Sequence, residues 1–297
     1  MTQLVIRGAV LPQPDGGTSR PVDVHVAGGR VSAVVPSRRP LPSGVAVLDA
    51  DGRLALPGFV DAHVHGAAAV LDPEVQLAML RQGVTSAVVG QDGVGFAPSD
   101  ERTCAWAAQY FAAIEGRHPT FRGGSVAELL RTYDGGTAIN VATLAPHGTL
   151  RYAVMGAQQR TATPGEIARM AGLLGQALDD GAVGLSTGLE YVPAAWADDA
   201  ELVALARVTA QHRLPHVSHM RGYEDAAPAA LTELVRIART TGVATHVSHL
   251  HGPSDTLARI VEDAQLEGLD VTFDSYPYLR GCSILAMVTL PTSNSYD

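Results

Sequence analysis

The 297-residue chain is 46% hydrophobic and 17% charged, which excludes a disordered polymer and leaves enough apolar material for a sizeable core. Its net charge of −9 argues against a nucleic-acid binder, and no apolar run approaches the ~20 residues of a membrane span. All 21 basic side chains are arginine, which rules out Schiff-base lysines, phosphate-loop lysines and carboxylated-lysine metal bridges. The N-terminus has no signal-peptide pattern, and two cysteines, Cys104 and Cys282, cannot build a disulfide framework; both features point to the cytoplasm.

In chain order, residues 1–56 read as a small β domain. Val22-Asp23-Val24-His25-Val26 alternates with period two, Gly28-Gly29 supplies the positive φ of a tight hairpin, and residues 30–35 run back. Residues 4–6 and 45–48 complete a β-sandwich part. From residue 57 to 297 apolar strands alternate with capped helices, the mark of parallel βαβ units. Strands are predicted at 58–65, 84–90, 138–144, 182–187, 214–219, 244–249 and 269–275. Helices are predicted from Asp72-Pro73-Glu74 to Gly83, and from the capping box Thr163-Pro164-Gly165-Glu166 to Gly181. Two more open at Asp198, with Glu201 three residues on, and at Ser254, ending near Gly268. Residues 96–136 form an insertion, helical around 101–115. The pattern is an α/β chain of the (β/α)8 TIM type with seven of its eight strands, since eight take about 250 residues and the remainder is too short.

The strongest chemical signal is Pro57-Gly58-Phe59-Val60-Asp61-Ala62-His63-Val64-His65. Two residues apart on a strand, His63 and His65 point the same way, so both imidazoles can meet one metal. His219 closes the fifth strand and His249 the sixth. Four histidines at the same end of three parallel strands converge on a barrel mouth, where neutral imidazoles and a water make a hydrolytic metal site. His216 and His246 stand three residues before those ligands and read as structural. His147 lies past the third strand, either at the mouth or as a structural loop residue. Arg221 follows a ligand and has the fork geometry to hold a carboxylate. Cys104 and Cys282 read as packing residues, and the pairs Asp179-Asp180 and Asp198-Asp199 as helix-end features.

Together with Val88-Val89-Gly90-Gln91-Asp92-Gly93, His147-Gly148-Thr149-Leu150-Arg151, Gly184-Leu185-Ser186-Thr187-Gly188-Leu189-Glu190-Tyr191, His219-Met220-Arg221, Ser248-His249-Leu250 and Tyr276-Pro277-Tyr278, the paired histidines resemble those of the amidohydrolase superfamily. The Ser-Thr-Gly-Leu-Glu-Tyr run is similar to that of its D-aminoacylase (N-acyl-D-amino-acid deacylase) branch. The resemblance runs from the first strand to Leu290. It implies hydrolysis of an N-acyl-D-amino acid, a small-molecule substrate, to a D-amino acid and a carboxylate, with one or two divalent ions such as Zn2+. It implies His63 and His65 as ligands of one metal and His219 and His249 as ligands of the other. Asp92 stands where the family commonly has a metal-binding cysteine. Tyr191 resembles a substrate-contacting residue, Tyr276 a donor to the scissile carbonyl, and His251 occupies a position where relatives often carry a lysine for the substrate carboxylate; Arg280 is a further cation near the mouth.

The family's general base, an aspartate ending the eighth strand, has no match here, and Asp274 is a possible substitute. The expectation is therefore a chain that by itself folds and turns over poorly, its array open between strands one and seven. Two rival readings are a catalytically inactive homologue and a cyclic amidohydrolase of the hydantoinase or dihydroorotase kind, whose usual lysine bridge a lysine-free chain cannot supply.

Overall fold

Alternating residues with one buried face produce the first sheet. The computed structural model of the chain describes residues 4–37, 44–278, 280 and 284, and it divides into two compact units, Met1–Gly58 and Phe59–Asp297. In the first, β1 (Leu4–Ala9), β2 (Val22–Ala27), β3 (Arg30–Pro36) and β4 (Ala46–Asp49) form one sheet in the order β3-β2-β1-β4. Val5, Ala9 and Val24 are buried, as alternation requires. Gly28 and Gly29 take φ of +60° and +74° between Ala27 and Arg30, the mirror-image turn that matches strand twist. Asp23 is buried in the middle of this sheet, where its carboxylate accepts from Gly8 N at 2.9 Å and Ser37 Oγ at 2.6 Å. The described residues make a single sheet here.

The second unit alternates strand and helix. In order it comprises β5 (Phe59–Asp61), α1 (Pro73–Arg81), β6 (Val84–Val89), α2 (Glu101–Tyr110), α3 (Val126–Arg131), β7 (Asn140–Thr143), β8 (Ala145–Pro146), α4 (His147–Met155), α5 (Pro164–Asp179), β9 (Leu185–Gly188), α6 (Asp199–Gln211), β10 (His216–His219), α7 (Ala227–Thr241), β11 (Thr245–Val247), α8 (Ser254–Leu266) and β12 (Val271–Phe273). Every pairing is parallel and follows chain order. β7 falls within the expected third strand, 138–144, and β8 continues it past that limit. At Leu144 the chain passes from β6 to β9: Leu144 N bonds Val89 O at 2.9 Å, and Ala145 N bonds Gly184 O at 2.8 Å. Seven parallel strands wrapped by helices thus stand in sequence order, the architecture of the (β/α)8 TIM type. β5 and β12 are its edges among the described residues, with Phe59, Val60 and Phe273 exposed.

Local chemistry sets the helix starts. Asp72 accepts from Glu74 N ahead of Pro73, Thr163 and Glu166 close a reciprocal capping box, and Asp198 accepts from Glu201 N. α3, α4 and α7 were not expected; α3 opens on a Ser125–Glu128 capping box, whereas α4 and α7 have no capping side chain at their N-termini. α7 is held instead by a buried stripe, Leu231, Leu234, Val235 and Ile237, and ends on Gly242 at φ +71°. No helix among the described residues is long and apolar enough to cross a membrane.

Two buried histidines away from the C-terminal strand ends give the fold a pH dependence. His118 Nδ1 accepts from Phe121 N at 2.9 Å and Thr120 N at 3.3 Å, while Nε2 faces Thr132 Oγ1 at 3.2 Å, so the ring is neutral with its proton on Nε2. Burial, with Arg122 nearby, pushes it down to about 4; burial, with His147 nearby, does the same to His216. Between about 4 and 6.5 the unfolded chain therefore binds more protons than the folded one. Stability is present in full above 6.5 and is lost as the pH falls toward 4, by at most about 1.4 kcal/mol per pH unit for a fully buried imidazole. Urea midpoints should fall between pH 7 and pH 5, and His118→Asn, whose amide oxygen can accept in place of Nδ1, should flatten that fall. A midpoint independent of pH across this range would show that the rings protonate freely.

Candidate metal centre

The strand ends bend to bring four imidazoles onto one carboxylate. β5 stops at Asp61, short of the expected strand, because the Asp61 carboxylate accepts from His63 N at 3.3 Å and turns the chain. Val64 N still reaches Val88 O at 3.2 Å, so the segment follows β6. The His63 and His65 rings then lie 5.3 Å apart. His65 Nε2 is 3.1 Å from Asp92 Oδ2, and His63 Nε2 is 3.8 Å from Asp92 Oδ1. From the other side, His219 Nδ1 and His249 Nε2 approach Oδ2 at 3.6 and 3.5 Å. His63, Asp92 and His249 also offer ligand atoms within 4.8 Å of one another.

Asp92 sits in the loop after β6 at φ +53°, and His249 just past β11 at φ +37°. Both residue types tolerate the left-handed region better than most, and strain of this kind gathers at functional sites. The loop fits only because of glycine. A Cβ on Gly188 would come within 2.0 Å of Asp92 O, and one on Gly93 within 2.6 Å of Gly188 N. Gly188→Ala should therefore displace Asp92 and lower divalent-ion uptake by at least tenfold, with the far-UV spectrum unchanged. Wild-type uptake in that variant would mean that the loop can move without cost.

Asp92 is 3% exposed, and its Oδ1 accepts no hydrogen bond. Burial alone would raise its pKa, but the His219, His249 and His65 imidazoles outweigh that and hold the carboxyl well below the usual range. Burial would likewise lower His65, yet Asp92 and Glu115 lift it to about 10. His219 is also raised, its burial outweighed by Asp92 and by Glu190 at 2.8 Å from Nε2. The carboxylate and the two raised imidazoles therefore favour one another's charged forms.

The residues present fit a divalent ion. His219 Nδ1 and His249 Nε2 are 3.2 Å apart and lie 3.6 and 3.5 Å from Asp92 Oδ2. Donors on a tetrahedral zinc with bonds of about 2.05 Å are separated by about 3.3 Å. The spacing of these three atoms is therefore close to what such an ion would require.

The remaining sequence candidates are distributed as follows. Tyr191 is buried, its ring 4.6 Å from His219 and 5.1 Å from Phe111. His251 stacks on Tyr223 at 4.5 Å, donates from Nδ1 to His249 O at 2.7 Å, and faces Glu224 at 3.6 Å. Tyr276 is partly exposed at the rim, 6.3 Å from the His249 ring, and Arg280 is exposed. Arg221 is spent on Glu233 and on the carbonyls of Ala195 and Ala197. Asp274 accepts from His249 N at 2.5 Å and contacts His63 Nδ1 at 3.1 Å and His246 Nε2 at 3.0 Å. Burial would raise it, but His246 and His63 outweigh that and hold it low, which makes it a poor proton acceptor.

His216 is buried against Thr187 Oγ1 at 2.8 Å, and His147 is the buried first residue of α4, bonded to Glu201 at 2.6 Å rather than facing the mouth. Cys104 is buried, which pushes its thiol up and leaves it inert. Cys282 and Leu290 lie outside the described residues. Sequence reasoning gave no role to Glu115 or Glu190 behind the histidines; their partners are 50 and 29 residues away, and the Ser-Thr-Gly-Leu-Glu-Tyr run that contains Glu190 does not say which imidazole its carboxylate meets.

A parallel strand array with histidines and a carboxylate at its C-terminal ends defines a metal-dependent hydrolase class, and the chain belongs to the amidohydrolase family, whose pattern matches residues 46–281. The N-acyl-D-glutamate deacylase of Alcaligenes xylosoxydans xylosoxydans is 34% identical over 95% of this chain and 58% of its own length. The crystal structure of N-acyl-D-glutamate deacylase from Bordetella bronchiseptica, complexed with zinc and a phosphonate inhibitor that mimics the tetrahedral intermediate, superposes with a TM-score of 0.77 at 34% identity. That of a D-aminoacylase superposes with a TM-score of 0.80 at 30% identity. Both superpositions cover 93% of this chain and 58% of the other. The chain thus spans somewhat over half the length of these relatives.

Proposed function

We propose that this chain holds one or two divalent cations, zinc foremost, on His63, His65, Asp92, His219 and His249, and that it serves the hydrolysis of N-acyl-D-amino acids to a D-amino acid and a carboxylate. The observation that carries this is the convergence of four imidazoles, each with one ring nitrogen toward a buried carboxylate whose Oδ1 is unsatisfied. The relatives' deacylase activities support the substrate class. When bound, the cation supplies Lewis acidity toward the amide carbonyl and acidifies a hydrolytic water.

The chain's own groups do the rest. Asp92 and the histidines fix where the carbonyl must lie. Tyr276, its ring 6.3 Å from that of His249, is the candidate donor to the carbonyl oxygen, and Tyr191, its ring 4.6 Å from that of His219, the candidate substrate contact. His251 is the candidate for the substrate carboxylate, with its Nδ1–H already committed to His249 O and Nε2 left to turn from Glu224 to the ligand. Arg221 gives four of its five N–H donors to Glu233 and to the carbonyls of Ala195 and Ala197, so its main work is to hold the 195–197 segment in place.

Metal analysis of the purified chain should find zinc or a similar ion, and N-acetyl-D-amino acids should be cleaved in preference to their L-isomers. A metal-free chain after zinc loading would overturn the site; faster cleavage of L-isomers or of a cyclic amide would overturn the substrate class.

A further inference from the structure

Behind His65 stands a carboxylate that belongs to neither a strand end nor a sequence motif. Glu115 lies just past α2, in the segment between β6 and β7, where its amide N bonds Phe111 O at 2.8 Å. It is 3% exposed. Oε1 is 3.3 Å from His65 Nδ1, and Oε2 accepts from Ala67 N at 3.0 Å. The carbonyl of Ala67 in turn accepts from Tyr133 Oη at 2.8 Å. The chain after β5 is therefore gripped on both sides by residues of the 96–136 insertion.

The acceptor count is decisive. An ionised carboxylate only accepts, so its two oxygens satisfy Ala67 N–H and a proton on His65 Nδ1 together. That fixes a proton on His65 Nδ1 and leaves Nε2, 3.1 Å from Asp92 Oδ2, as the nitrogen turned toward the metal site. A buried carboxylate that did nothing but cap Ala67 would not need its second oxygen aimed at a ring nitrogen. The Phe111 ring, 6.1 Å from that of His65, comes from the same turn and limits the imidazole's rotation.

We propose that Glu115 is a positioning residue for the metal centre: the insertion delivers it to hold His65 with Nδ1 protonated and Nε2 free to ligate. This rests on the metal-binding reading above. Groups that orient a ligating imidazole in this way typically account for 10–100-fold in metal affinity.

The isosteric Glu115→Gln is the informative variant, because an amide carries one acceptor and one donor group. If its oxygen serves Ala67 N, its NH2 faces His65 and forces a lone pair onto Nδ1, the wrong tautomer for Nε2 ligation. If its oxygen serves His65, its NH2 opposes Ala67 N–H.

The test uses the full chain, with zinc affinity measured by chelator competition and histidine-ring nitrogen spectra recorded on the zinc-loaded protein. Glu115→Gln should bind zinc about 10–100-fold more weakly and lose or shift the His65 Nδ1–H signal. In a His65→Ala background the same substitution should cost no further affinity, which a general structural role would not produce. Glu115→Ala, which strands Ala67 N, should unfold earlier yet show the same affinity loss where folded. Wild-type affinity with an unchanged Nδ1–H signal in Glu115→Gln, or an equal loss in the His65→Ala background, would overturn the proposal. A wild-type chain that takes up no zinc would instead overturn the metal reading and this assignment with it.

Discussion

Asp92→Asn should remove most of the chain's divalent-ion affinity. Among the described residues the carboxylate is the sole negative charge that all four imidazoles approach, at 3.1 to 3.8 Å. A neutral amide keeps the volume but neither neutralises a cation nor offers two equivalent acceptors. Breaking a buried charge pair costs about 3–5 kcal/mol, so zinc affinity should fall by roughly 10²–10³-fold or more. His219→Ala and His249→Ala should have comparable effects, since each removes one corner of the donor triangle. Asp92→Cys should instead shift preference from manganese toward zinc, because thiolate is the softer ligand.

The protonation of the metal-free site gives this prediction a second readout. With His65 lifted to about 10 by Asp92 and Glu115, a cation arriving at neutral pH must expel a proton. Zinc affinity should therefore rise with pH through the neutral range toward about 10. Calorimetry in buffers of different ionisation enthalpy should show proton release in wild type and less in Asp92→Asn. Equal zinc binding and equal proton release in the two proteins would exclude Asp92 from the site.

How far the site could be read from the sequence follows from where its residues leave the strands. Strands buried on both faces show as apolar runs, and all seven expected runs hold a strand. Four of their C-terminal ends were expected too far along, while the fifth strand ends at His219 as expected. His65, Gly90, His249 and Asp274 lie beyond the last paired residue of β5, β6, β11 and β12, because side chains that converge on a mouth must turn out of the ladder. Positive φ at Asp92 and His249 is the structural record of that turn, and no pattern of hydrophobicity encodes it.

The histidines were legible because their type and spacing carry chemistry. Asp92 was legible only through a family resemblance, and Glu115 and Glu190 not at all, since a carboxylate near a helix end or inside a motif has many ordinary uses. Glu201 shows the same ambiguity in reverse. Its backbone N takes the Asp198 cap as the spacing suggests, but its carboxylate turns inward to His147 and Arg151.

That inward turn should make Glu201→Ala the most destabilising single change outside the metal centre. Glu201, His147 and Arg151 are fully buried. Burial would raise the Glu201 carboxyl, yet His147 and Arg151 outweigh it and hold it ionised. Removing the carboxylate strands a guanidinium that cannot shed its charge, at a cost of about 3–5 kcal/mol. Urea unfolding should register that loss, and Arg151→Met combined with Glu201→Leu should recover much of it by leaving no buried charge behind. If Glu201→Ala unfolds at the wild-type midpoint, Arg151 must already be satisfied by the carbonyls it reaches at Pro193 and Arg160. The effect should also reach the site. Arg151 holds Pro193 O at 2.9 Å, and Arg221 holds the carbonyls of Ala195 and Ala197 at 2.8 and 3.0 Å. The segment that follows Glu190 and Tyr191, the two residues set against His219, is thus held by two arginines. Loosening one of them should therefore weaken zinc binding modestly as well as lower stability, whereas an exposed pair such as Arg239–Glu267 should affect neither.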